Sequence, residues 1–123
     1  MSAALVLLVG LGGATGAVCR AALIDALDKG RAGWFPRGTF CVNCLACFLA
    51  GVFLALGLGA YPAALLLTGF CGGFSTLSSV NLDAAKLLVN SGEGAKSAAY
   101  LLATYAAAVV LAAIGYFLAS TLL

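Results

Sequence analysis

Apolar residues run almost unbroken over about residues 3–27, 39–58, 62–89 and 97–121, and the charged residues collect mainly in the gaps between them. Each run is long enough for the roughly 20 residues that a membrane-spanning helix needs. The pattern therefore predicts an all-α membrane protein of four transmembrane helices, with residues 1–123 forming one domain. The first run lacks a basic leader and is longer than a signal-peptide core, so it reads as a retained span.

Composition narrows this further. Of 123 residues, 64% are hydrophobic and only 8% charged, with a mean hydropathy of +1.17, which leaves no room for a separate soluble domain. The placement of the charges says more than their number. Lys29, Arg31 and Arg37 lie between spans 1 and 2, and Lys86 and Lys96 flank the turn between spans 3 and 4, whereas the N-terminus, the turn at Gly57–Pro62 and the C-terminus carry no Lys or Arg. Positive charge in short loops stays cytoplasmic, so both termini are expected outside the cytoplasm. A net charge of +2 is too small to imply nucleic acid, and orientation already explains its one-sidedness.

Polar residues inside the spans are the candidates for function. Counted inward at 1.5 Å per residue, Arg20 lies about 10 Å deep, Asn43 somewhat shallower, Ser78 and Ser79 slightly deeper, and Tyr100 and Thr104 at similar levels. All occupy the cytoplasmic half, so one copy polarises half a pathway and a second, inverted subunit would supply the rest. Arg20 must snorkel, pair or face water, as a headgroup anchor or as an anion-attracting group. Asn43 suits a helix-to-helix hydrogen bond or a pathway, and is taken as the sole amide in its half. Tyr100 and Thr104 share a helix face that continues as Ala108 and Ala112, which is also what a packing seam looks like.

The third span is irregular. Gly69-Phe70-Cys71-Gly72-Gly73-Phe74-Ser75-Thr76 falls near the midplane, where paired glycines weaken a helix. A break there survives in lipid only if its freed backbone groups are buried or meet an ion or water. A notch for close packing and a carbonyl-lined ion site both fit this segment. Cys41, Cys44 and Cys47 have a C-x-x-C-x-x-C spacing, but on a helix the thiols form a stripe, whereas iron–sulfur clusters are wrapped by loops. They read as small packing residues.

Three stretches together carry a resemblance: Gly12-Gly13-Ala14-Thr15-Gly16-Ala17-Val18-Cys19-Arg20, Gly38-Thr39-Phe40-Cys41-Val42-Asn43 and Gly69-Phe70-Cys71-Gly72-Gly73. In order and spacing they resemble the signature segments of the Fluc/CrcB fluoride channels. The resemblance implies an antiparallel dimer of four-helix subunits in a bacterial or archaeal-type cell membrane, with two fluoride pores and a central sodium ion between broken third helices. By position, it implies that Asn43, Ser78, Ser79, Tyr100 and Thr104 line a pore and that Arg20 lies near the vestibule. It likewise implies that the Gly72 and Ser75 carbonyls hold the sodium. Asp83 stands where the family usually has Glu, within reach of Lys86.

The chain departs from the family at Leu77 and Val80, where two phenylalanines usually present ring edges to fluoride; Ala46 also replaces a usual glycine. Ring edges carry partial positive charge and aliphatic groups do not, so this subunit's own contribution to a pore is expected to be weaker. A fluoride path needs several moderate donors, since a full charge in the narrow part would trap the ion. The skewed Lys/Arg count predicts one dominant orientation, hence a heterodimer with a paralogue, the alternative being a dual-topology homodimer. A non-conducting assembly subunit is a further alternative. A small multidrug exporter needs a membrane-embedded carboxylate, and no Asp or Glu precedes Asp25. An enzyme is not expected: the chain has no His and no nucleophile beside a base.

Overall fold

The computed structural model describes residues 2–30, 33–90 and 94–122, which are helical apart from short connections and contain no strand. Helix α1 is Ala3–Asp28, with the Ser2 hydroxyl accepting the Leu5 N–H at 3.3 Å as its N-terminal cap. Helix α2 is Arg37–Ala55. Pro36 before it offers no side-chain cap, and the Asp28 carboxylate takes that place by accepting the Gly38 N–H at 2.9 Å. A carboxylate there satisfies an otherwise unpaired donor and complements the positive end of the helix dipole.

The third span begins with a turn at Ala60–Pro62, widens into a π-helix at Ala63–Cys71 and closes with a turn at Gly72–Phe74. We call this rod α3. Ser75 then adopts an extended conformation (ψ 159°), and α4 restarts at Leu77–Asn90. Helix α5 is Gly94–Leu122. The expected break is present, two residues beyond the paired glycines. Among the described residues, four segments are long and apolar enough to cross a membrane, α3 and α4 together forming one of them. Lys29, Arg37, Lys86 and Lys96 lie at the adjoining ends of α1 and α2 and of α4 and α5, which we call the basic end; Arg31 falls outside the described residues.

Helix α1 packs mainly on α3, and α2 mainly on α5. Small residues make both crossings close. A Cβ on Gly12 would overlap the Leu65 carbonyl, one on Gly16 the Phe70 carbonyl, and one on Gly73 the Gly13 backbone. At the second crossing, Gly51 meets the Ala112 carbonyl and Gly115 the Phe48 carbonyl in the same way. Lipid provides no hydrophobic drive for helix association, so such backbone approach is what holds membrane helices together. The Ala112 turn of the α5 stripe is thus a packing seam, and Gly69 and Gly73 serve the notch that α1 occupies.

Two apolar clusters complete the interior. Val42, Ala46 and Phe74 pack with Leu23, Ile24 and Phe70 near the break. Val80, Ala84 and Tyr100 pack with Phe35, Phe40, Leu87 and Leu101 toward the basic end.

Candidate functional site

Breaking a helix inside a bilayer frees carbonyls and N–H groups that water cannot satisfy, each at a cost of several kcal/mol. Two side chains from other helices meet this demand. From α1, Arg20 Nη1 donates to the Gly73 carbonyl at 3.0 Å and the Ser75 carbonyl at 3.4 Å. From α2, Asn43 accepts the Thr76 N–H on Oδ1 at 2.8 Å, and its Nδ2 donates to the Thr76 carbonyl at 3.1 Å and to the Thr39 carbonyl at 3.0 Å. The Thr76 hydroxyl in turn accepts the Ser79 N–H at 3.2 Å, capping α4.

The clamp decides what remains free. In an unbroken helix the Thr76 N–H would bond the Gly72 carbonyl. Asn43 takes that N–H, leaving the Gly72 carbonyl with the Ser75 hydroxyl at 3.5 Å. Gly72 is exposed, with open space where a Cβ would stand. It also borders an open groove of about 240 Å³ lined by Ala46, Cys47, Ala50, Leu67, Cys71 and Ser75.

The pore residues implied by the resemblance divide into two groups. Asn43, Tyr100 and Thr104 are buried within the protomer, while Ser78 is exposed and Ser79 half-buried on α4. The Thr104 hydroxyl donates to the Tyr100 carbonyl at 2.7 Å, within its own helix. The Tyr100 side chain is fully buried, and its hydroxyl sits among Asp83, Thr104 and Thr39 without hydrogen-bond geometry to any of them. Leu77 is 60% exposed and Val80 only 2%, so the two positions that lack rings face in different directions. Arg20, which the resemblance places near the vestibule, has its guanidinium against the carbonyls of the break.

Some participants were missed by reasoning on depth and residue type. Thr39 and Thr76 are buried partners of Asn43; a Thr directly before a restarting helix was the available signal for the second. Asn81 is a second amide, exposed on α4, which corrects the expectation that Asn43 is the sole one in its half. Cys41 is exposed, Cys44 and Cys47 half-buried and Cys71 buried, all as free thiols.

The comparisons with known proteins agree with one another. Residues 7–116 match the family model described as CrcB-like protein, Camphor Resistance (CrcB). The chain is 42% identical to a protein of Thermobifida fusca named fluoride-specific ion channel FluC 1, over 91% of this chain and 97% of the relative. It is 40% identical to the fluoride-specific ion channel FluC of Prosthecochloris aestuarii, over 93% of this chain and 91% of the relative. A FluC 2 of Yersinia pseudotuberculosis is 37% identical over 97% and 99%. With four span-capable helices, a broken third span and matches along almost its whole length, the chain belongs to the CrcB family.

Proposed function

We propose that this chain is a subunit of a passive fluoride channel that lets cytoplasmic fluoride leave the cell. The names of its relatives supply the ion. The observation that carries the reading is the Tyr100 hydroxyl, a donor buried without a hydrogen-bond partner among the described residues. Leaving such a group unsatisfied costs about 1–3 kcal/mol, a cost that a passing anion would relieve. The N-terminus of α4 adds positive partial charge at the break. Ser78 and Ser79, in the first turn of α4, supply further hydroxyls. Several moderate donors suit a small, tightly hydrated anion that must also leave.

Asn43 serves this path by shaping it. Both its amide hydrogens are engaged by backbone carbonyls, so it holds the break while the hydroxyls meet the ion. Arg20 acts in the same way from α1, its charge kept against the backbone and off the path.

A second, inverted subunit completes the pathway, and a paralogue is the partner we favour because the basic residues crowd one end. The orientation that follows has the basic end in the cytoplasm and both termini outside. A sodium ion between the two breaks fits the residues present in part. The Gly72 carbonyl is exposed and weakly bonded, as a cation ligand should be, whereas the Ser75 carbonyl already faces the Arg20 guanidinium, whose charge opposes a cation there. Gly72 is the stronger of the two ligands on this ground, and the ion would supply positive charge that satisfies backbone in lipid.

Fluoride efflux from liposomes holding the purified chain, alone and with a candidate paralogue, tests the function. Efflux from one of the two preparations is expected; none from either overturns it.

A further inference from the structure

The Tyr100 hydroxyl has no hydrogen-bond partner among the described residues, and its side chain has no exposed surface. Four partly buried residues close over its cluster: Phe35, Phe40, Leu87 and Leu101. Phe40, Leu87 and Leu101 belong to α2, α4 and α5, so moving their backbones would unwind a helix. Phe35 alone lies on a connection, between Gly33 at a φ of 123° and Pro36.

Its ring packs on the Tyr100 cluster and makes three edge-to-face contacts: 5.4 Å from the Tyr100 ring at 85°, 5.2 Å from Phe40 at 73° and 5.5 Å from Trp34 at 74°. Lys96 Nζ lies 5.7 Å from the Trp34 centroid, tying the same connection to the start of α5. Such ring contacts can break and re-form without exposing a backbone hydrogen bond.

We propose that Phe35 is a plug at the basic end, the side chain that an anion entering from that end must displace to reach Tyr100. This rests on the anion path proposed above. Phe35 offers no charge to trap an ion and no hydrogen bond to replace, so its displacement sets access without adding a binding step. Its closed position covers the Tyr100 cluster, beside which Thr39 and Thr104 are also buried.

The test combines transport with labelling. Fluoride efflux is compared for the functional assembly carrying the natural residue, Phe35→Ala or Phe35→Leu. Separately, a small charged methanethiosulfonate is applied to the purified chain bearing Thr104→Cys, with and without Phe35→Ala. The same chain without Thr104→Cys gives the background of its own five cysteines.

Removing the plug is expected to raise efflux at least about threefold and labelling at position 104 about tenfold, with Phe35→Leu near the natural rate and the background unchanged. Unchanged labelling at 104, or a rise matched by the background thiols, overturns the plug. Faster labelling at 104 alone, in a chain that carries no fluoride in any form, supports the plug and sinks the fluoride path instead.

Discussion

Asn43 and Thr76 are bonded in both directions, the amide oxygen to the Thr76 N–H at 2.8 Å and the amide nitrogen to the Thr76 carbonyl at 3.1 Å. The pair reproduces across 33 positions of sequence what a helix would have supplied locally, and the third span can stop and restart because of it. An amide suits this because it presents a donor and an acceptor side by side and carries no charge.

Asn43→Asp should therefore abolish flux. The substitution exchanges the Nδ2 donor for an oxygen aimed at the Thr39 and Thr76 carbonyls, replacing two hydrogen bonds by repulsion at a buried site, about 3–5 kcal/mol. Fluoride efflux in vesicles checks it, and undiminished flux would remove Asn43 from the site. Asn43→Gln, which keeps the amide but lengthens the reach, is expected to retain fold with reduced flux.

The two positions without rings should respond differently to phenylalanine. Leu77→Phe places the ring on a side chain already 60% exposed, so thermal stability of the purified chain should be unchanged and flux of the assembly higher. Val80→Phe forces a ring into the cluster of Ala84 and Tyr100 at a position 2% exposed, an overpacking cost of about 1–3 kcal/mol. Melting of the two variants separates these outcomes.

Gly16→Ala and Gly73→Ala should damage the α1–α3 crossing, because each added methyl meets backbone rather than a movable side chain. Loss of the monodisperse species in size-exclusion chromatography is expected for both. Gly10→Ala is the control, with open space around the added carbon, and it should behave as the natural chain.

The charge asymmetry makes a prediction about insertion. Five basic residues fall in or beside the two connections between spans 1 and 2 and spans 3 and 4 of the sequence, and none in the other turn or the termini, so accessibility mapping of tags at both termini in native membranes should find both outside the cytoplasm. Equal inward and outward populations, together with strong flux from this chain alone, would favour the homodimer.

Replacing sodium by a large organic cation on both sides should lower flux of the assembly, and Gly72→Ala should leave the sodium response in place because the carbonyl is kept and its Cβ has room. Efflux assayed in matched salts checks both. A response lost with Gly72→Ala would mean that the glycine acts through backbone shape.

The sequence by itself determined the four spans and the gathering of Lys and Arg in two of the connections, since each depends on local composition: apolar length and loop charge; its glycines marked the third span as irregular but left a packing notch and a break both open. Residue type and depth also singled out Arg20, Asn43 and Tyr100 as unusual. What those residues touch was decided by the tertiary structure. Arg20 reads as an anchor or a vestibule charge until α1 is packed on α3, where the glycine crossing brings its guanidinium to Gly73 and Ser75. Leu77 and Val80 look equivalent in the chain, yet α4 turns one outward and buries the other against α5. Phe35 carried no signal at all as one apolar residue in a loop, and became a candidate only when α2, α4 and α5 converged around Tyr100. Periodicity and depth are properties of one helix, whereas contacts belong to pairs of helices, and the packing of small residues that sets those pairs is not written at any single position.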